Sequence, residues 1–225
     1  MRIVTVVGTR PQLIKLAALG PALRRRHAEV LVDTGQHWDE AMAGAFFAEL
    51  DLPRPDHELG VAAASRSGIE QTGRMLLALE PVLEAERPDA VLVVGDTNST
   101  LAGALAAARL GIPVAHVEAG LRSFDRSMPE EVNRVVADHL ARWSFAPTPT
   151  AVANLRAEGI TEGVHLVGDV MQDLVARIVP EVREPASAVP GGRASGSYLF
   201  ATIHRAENRA PDAVRAWLAL LGDVA

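Results

Sequence analysis

Ala90-Val91-Leu92-Val93-Val94-Gly95-Asp96-Thr97-Asn98-Ser99-Thr100 is the stretch that decides the fold. Five apolar residues in a row, without alternation, predict a strand covered on both faces. Glycine then breaks the strand, and an acid with four hydroxyl or amide residues opens a helix. Working outward, Ile3-Val4-Thr5-Val6-Val7 leads in the same way into Gly8-Thr9-Arg10-Pro11. The patterning predicts strands at Arg2–Val7, Glu29–Asp33, Ala90–Val94, Val114–Val117, Ser144–Ala146 and Val164–Leu166. Helices are predicted near Pro11–Arg25, Glu40–Leu50, Gly68–Glu86, Leu101–Arg109, Glu130–Ala141, Thr150–Glu158 and Val170–Val179. Strand and helix alternate throughout, so the fold class is α/β, a doubly wound, Rossmann-like parallel sheet. Ligands of such sheets bind at the carboxyl ends of the strands.

The texture changes at residues 183–197, Arg-Glu-Pro-Ala-Ser-Ala-Val-Pro-Gly-Gly-Arg-Ala-Ser-Gly-Ser, which reads as a linker. It separates a domain at residues 1–182 from a fresh strand at Tyr198–Ile203 and a helix at Asp212–Leu221. One strand and one helix bury no core, so residues 198–225 read as the incomplete start of a second domain, or as elements docked on the first.

The chain has 225 residues, 48% of them hydrophobic, and 22 basic against 28 acidic side chains give a formal charge of −6. That balance speaks against nucleic acid and anionic membranes as partners. No run approaches the ~18 apolar residues of a membrane span, and Arg2–Val7 enters a strand at once where a signal peptide would have its basic and apolar regions. A cytoplasmic protein is expected. With no cysteine, disulfides, thiolate metal sites and cysteine nucleophiles are excluded. Every basic residue but Lys15 is arginine. That lone lysine is either retained for its chemistry or a survivor on a helix surface.

Four constellations could carry chemistry. In Gly8-Thr9-Arg10-Pro11-Gln12-Leu13-Ile14-Lys15 the turn after the first strand points N–H groups outward, Thr9 is available as a cap, and Arg10 and Lys15 supply two charges suited to a diphosphate. An ordinary turn with a solvated arginine is the plainer alternative. Asp96 closes a central strand at the sheet edge, or else caps the next helix. Glu118, in His116-Val117-Glu118-Ala119-Gly120-Leu121-Arg122-Ser123, closes another strand. Glu130 and Glu131 open a helix, where the dipole alone would favour them, yet three acids reaching one cleft would suit proton transfer. His204, beside Arg205 and Glu207, ends the strand after the linker; it is structural or part of a site. No metal is expected, since the sequence lacks His-x-x-x-His on a helix and any cysteine. Nor is a nicotinamide cofactor expected, since GxGxxG is absent.

Taken in order, GTRPQLIK, TGQH, GDTNSTLAG, HVEAGLRSFDRSMPEEVNR and TIHRAEN resemble the non-hydrolysing UDP-N-acetylglucosamine 2-epimerases. The resemblance implies a GT-B architecture, two Rossmann-like domains facing across a cleft that holds a UDP-sugar. This chain would supply the N-terminal half and a truncated second domain. It implies interconversion of UDP-GlcNAc and UDP-ManNAc by loss of UDP, a 2-acetamidoglucal intermediate, and re-addition of UDP, without cofactor. Asp96, Glu118, Glu130 and His204 match the family's catalytic set. Arg10 and Lys15 match its phosphate-side cations, with Arg205 beside the histidine. Gln36 and His37 match half of a site for an activating second UDP-GlcNAc. The other half would be Arg-Gln, but Ser65-Arg66 stands at that place. The resemblance also implies a homodimer of the full-length form and a place in making surface-polysaccharide precursors. Gln12, the SFDRSMPEEVNR wording and Gly168-Asp169-Val170-Met171-Gln172-Asp173 lean toward the branch acting on UDP-2,3-diacetamido-2,3-dideoxyglucuronate. Two other classes compete: a GT-B glycosyltransferase, which needs mainly one base and an acceptor site, and a non-catalytic sugar-nucleotide-binding domain.

Overall fold

β1 (Arg2–Val7), β4 (Ala90–Val94) and β5 (Val114–Val117) form the centre of a seven-stranded sheet in the computed structural model. The model describes residues 1–36, 47, 50–61, 65, 67–182, 201–203 and 210–224. The strand order is β3-β2-β1-β4-β5-β6-β7, and every pairing is parallel. β2 (Ala28–Asp33), β6 (Trp143–Ala146) and β7 (Val164–Leu166) complete the expected strands to within one residue at either end. β3 (His57–Glu58) was not expected. Two residues of strand carry no periodicity to read.

Among the described residues the helices are α1 (Arg10–Arg24), α2 (Gly68–Glu86), α3 (Asn98–Arg109), α4 (Pro129–Leu140), α5 (Pro149–Ala157), α6 (Val170–Val182) and α7 (Pro211–Val224). The helix expected at Glu40–Leu50 lies almost wholly outside the described residues. The strand expected at Tyr198–Ile203 is described only at 201–203, which are not strand.

Alternate residues of the central strands feed two cores, as the unbroken apolar runs require. Val4, Val6, Val91 and Val93 pack with Met75, Leu79 and Leu83 of α2 and with the alanines of α3. Ile3, Leu92, Val94, Ala115 and Val117 pack on the other face with Leu19 and Leu23 of α1 and Val170 of α6. Helices on both faces make the sheet doubly wound. The order reverses between β1 and β4, and there the βα turns diverge and leave a crevice.

The chain divides into two units, Met1–Arg177 and Ile178–Ala225. The first holds the whole sheet. Of the second, α7 is an amphipathic helix with an Asp212–Arg215 ion pair, and Trp217, Leu218 and Leu220 on it are exposed.

Candidate functional site

Three βα turns meet at the crevice. After β1, Gln12 is 1% exposed and fully occupied. Its Oε1 accepts from the Gly8 N–H at 2.9 Å, and its Nε2 donates to the Val94 carbonyl at 2.9 Å and to Thr100 Oγ1 at 3.1 Å. It ties the β1 turn to the β4 turn beneath any ligand, so it reports on packing and says little about a substrate branch. Thr9 makes no side-chain cap, because its hydroxyl lies 3.3 Å from Gln12 Oε1. Arg10 is exposed at the start of α1, with no ion pair among the described residues. Lys15 pairs with Glu118 through Nζ and Oε2, both side chains being largely covered.

After β4, Asp96 is not a helix cap. Thr97 takes that role, accepting from Thr100 N in a reciprocal capping box. The Asp96 carboxylate instead pairs with Arg134 of α4. Asn133 Nδ2 donates to the Asp96 carbonyl at 2.9 Å. Gly95, just before it, has φ +68°, and an added Cβ would lie 3.4 Å from both Glu118 Oε2 and Lys15 Nζ. The left-handed φ is what calls for glycine here, since the contacts themselves are ordinary.

After β5, Glu118 has φ 71°, a left-handed conformation unfavourable for a residue with a side chain. Fixed backbone of this kind aims the carboxylate back across the crevice at Lys15. Glu130 is exposed in the first turn of α4, with no hydrogen bond or ion pair among the described residues. The expectation that Glu118, Glu130 and Glu131 all reach one cleft fails at Glu131, which is 2% exposed. It accepts from Ser123 N at 2.9 Å, Ser123 Oγ at 3.0 Å, Phe124 N at 3.0 Å and Arg134 Nη1 at 2.9 Å. Burial opposes its ionisation, but these bonds outweigh burial and hold the carboxyl below its ordinary value. Glu131 anchors the loop after β5.

Sequence reasoning quoted His116, Arg122, Asn133 and Arg134 within the motif without assigning them a part, and it passed over Asp138. His116 and Asp138 are fully buried, with Nδ1 2.7 Å from Asp138 Oδ1. Arg122 donates to Asp138 Oδ2 at 2.7 Å and forks onto Glu158 through two bonds of 2.7 Å. Burial opposes Asp138 ionisation, yet His116 and Arg122 hold its carboxyl below the ordinary value. Burial opposes the charge of Arg122 too, yet Glu158 and Asp138 raise it above its ordinary value. Arg134 and Asp138, four residues apart and three and seven past Glu131 on one helix, were the available signal, since those spacings share a face.

Gln36 Oε1 accepts from Ser99 N at 2.9 Å and Ser99 Oγ at 2.7 Å, and the Gln36 carbonyl accepts from Gln71 Nε2 at 3.2 Å. This side chain, expected at a second ligand, is spent through its oxygen on the start of α3. His37, Arg66, His204 and Arg205 lie outside the described residues. No group of three or more potential metal ligands occurs among the described residues.

A doubly wound parallel sheet with paired cations and carboxylates at its switch point places the chain in the Rossmann-like class of α/β domains. The chain belongs to the UDP-N-acetylglucosamine 2-epimerase family, whose model matches residues 21–225. A UDP-N-acetylglucosamine 2-epimerase homolog of Methanococcus maripaludis is 49% identical over 210 residues, 92% of this chain and 58% of the relative. The UDP-2,3-diacetamido-2,3-dideoxy-D-glucuronate 2-epimerase of Pseudomonas aeruginosa is 43% identical over 213 residues, again 92% and 58%. Among solved structures, the Methanocaldococcus jannaschii UDP-GlcNAc 2-epimerase in complex with UDP-GlcNAc and UDP superposes with TM-score 0.77 and 47% identity. It covers 80% of this chain and 50% of that one. The chain thus spans little more than half the length of the relatives it matches.

Proposed function

We propose that this chain carries the N-terminal half of a non-hydrolysing epimerase that interconverts UDP-GlcNAc and UDP-ManNAc. The observation that carries the reading is the Lys15–Glu118 pair set beside Asp96–Arg134 at the β1/β4 switch point of a family member. The C2 hydrogen of the sugar has no neighbouring carbonyl to acidify it, so elimination is the accessible route. The C2–H proton goes to a base as the C1–O bond to the diphosphate breaks, leaving a C1–C2 double bond and UDP. A proton then returns to C2 from the other face, and UDP adds back at C1.

Departure of UDP concentrates charge on the diphosphate. Arg10, exposed at the head of α1, and Lys15 are the cations of the crevice that can meet it. An ammonium has three donors, so Lys15 can hold Glu118 and still reach a phosphate oxygen. Asp96, Glu118 and Glu130 form the proton-handling set, joined in this proposal by His204, with Arg205 on the substrate; the last two rest on their sequence motif alone. Gln36 and His37 at a second UDP-GlcNAc are not favoured, given the bonds that Gln36 already makes.

Of the two sugars, the N-acetylglucosamine derivative is favoured. Relatives named for it reach 45% identity, against 43% for the diacetamido-glucuronate enzyme. A homodimer of the full-length form, a cytoplasmic location and a role in polysaccharide precursor synthesis belong to the same proposal, supported by the family resemblance. Among the described residues no helix is long and apolar enough to cross a membrane. Proton NMR of UDP-GlcNAc in deuterated water, with the chain extended to its relatives' full length, is the test. Exchange of the C2 hydrogen without any sugar acceptor is expected, whereas transfer that appears only with an acceptor identifies a glycosyltransferase.

A further inference from the structure

Asp138 reaches both turns that carry the acids of the crevice. Its Oδ1 lies 2.7 Å from His116 Nδ1, and Nε2 of the same ring lies 2.7 Å from the Gly95 carbonyl. A carbonyl only accepts, so Nε2 carries a hydrogen and the imidazole grips the peptide that leads into Asp96. Asp138 Oδ2 accepts from the Gly120 N–H at 3.0 Å, two residues past Glu118, and from Arg122 at 2.7 Å. The two turns come from different strands, and α4, which supplies Asp138, also supplies Asn133 and Arg134 to Asp96.

We propose that Asp138 is a positioning residue that sets the Asp96 turn, through His116, and the Glu118 turn, through Gly120, in one register. The proposal rests on the reading of Asp96 and Glu118 as acids of the reaction. Its geometric content is independent of that reading. A carboxylate accepts on both oxygens, whereas the amide of asparagine accepts on one and donates on the other. Asp138→Asn keeps an acceptor for Gly120 and Arg122 but offers His116 a donor, which the ring can meet only as an acceptor at Nδ1, so the charged tie between the carboxylate and the ring is lost at nearly unchanged volume. At His116, asparagine places its amide nitrogen near Nδ1, and glutamine places its own near Nε2.

The test is the amide spectrum of the 225-residue chain, with C2 exchange kinetics of the enzyme extended to its relatives' full length as a second readout. Asp138→Asn is expected to shift the amides of both the Gly95–Asp96 and Gly120 turns. It should lower the exchange rate constant by up to about 10²-fold while KM changes little. His116→Asn should move the Gly95–Asp96 amides and leave Gly120 in place. His116→Gln, which keeps a donor to Gly95, should retain more rate than His116→Asn. Should Asp138→Asn not fold, the order of the two His116 variants decides. Gly95–Asp96 amides unmoved in Asp138→Asn, or equal His116 variants, would overturn the proposal. Wild-type enzyme without C2 exchange would refute the epimerase reading instead, while the amide shifts still judge the coupling of the turns.

Discussion

Asp33 ends β2 with its carboxyl buried, and burial, reinforced by Glu58, pushes it above its ordinary value although the Gly35 N–H opposes this. An acid shifted upward costs the fold its charge at pH above the unfolded value of about 3.9, and the cost vanishes as pH falls below that. Asp33→Asn keeps an acceptor for Gly35, so urea unfolding should show it more stable at pH 7, with the gain lost near pH 4. Asp138 has the opposite sign. Its lowered carboxyl contributes stability above its unfolded value, and that contribution disappears as pH falls through the folded one. Arg122→Met removes the cation between Asp138, which is buried, and Glu158, which is partly exposed, and should cost about 3–5 kcal/mol at pH 7 in the same measurement. In the proposed reaction, Asp96→Asn, Glu118→Gln, Glu130→Gln and His204→Asn should each lower turnover by about 10²-fold in a full-length enzyme, with binding less affected. Near-normal deuterium uptake at C2 in any one of them would remove that residue from the set.

At the scale of elements, α3 shows how closely a helix is seated on the strands that deliver the site. An added Cβ at Gly103 would lie 2.9 Å from Val93 Cγ1 and 3.2 Å from Val6 Cβ. Helix propensity favours alanine by up to about 1 kcal/mol, but overpacking of this kind costs about 1–3 kcal/mol. Gly103→Ala should therefore lower stability, and an unchanged or raised urea midpoint would show that α3 can slide. The start of α3 also explains why local sequence misled at Asp96. Asp, Thr, Asn and Ser are all good caps, and nothing local tells which one is used. Selection falls to Arg134, 38 residues along the chain, which takes the carboxylate away from the helix end. Strand limits and most helix limits were legible because the apolar runs are long and most helix starts have Pro or hydroxyl residues, though α3 begins three residues before the expected Leu101. β3 was not, because it is set by the neighbouring strand β2.

Over the whole molecule, the doubly wound sheet and the placement of Arg10, Lys15, Asp96 and Glu118 at its carboxyl edge could be read from the chain alone. Motif order told which residues gather there. The division of labour within the gathering came from α4, since whether Glu130 or Glu131 is spent on the loop depends on Ser123 and Phe124 meeting only one of them. The chain spans 58% of the first relatives' length, which sets the last expectation. The Met1–Arg177 unit has its own sheet and two apolar cores, so the 225-residue polypeptide should unfold cooperatively in urea. Positioning of a reacting sugar draws on binding energy from remote parts of the substrate. In a GT-B architecture those contacts are shared between two facing domains. Assayed by itself, the 225-residue polypeptide should bind UDP more weakly by calorimetry than a version extended to the relatives' full length. It should also exchange the C2 hydrogen barely above background. Turnover by residues 1–225 equal to that of the extended chain would show that the switch-point turns hold the whole substrate unaided.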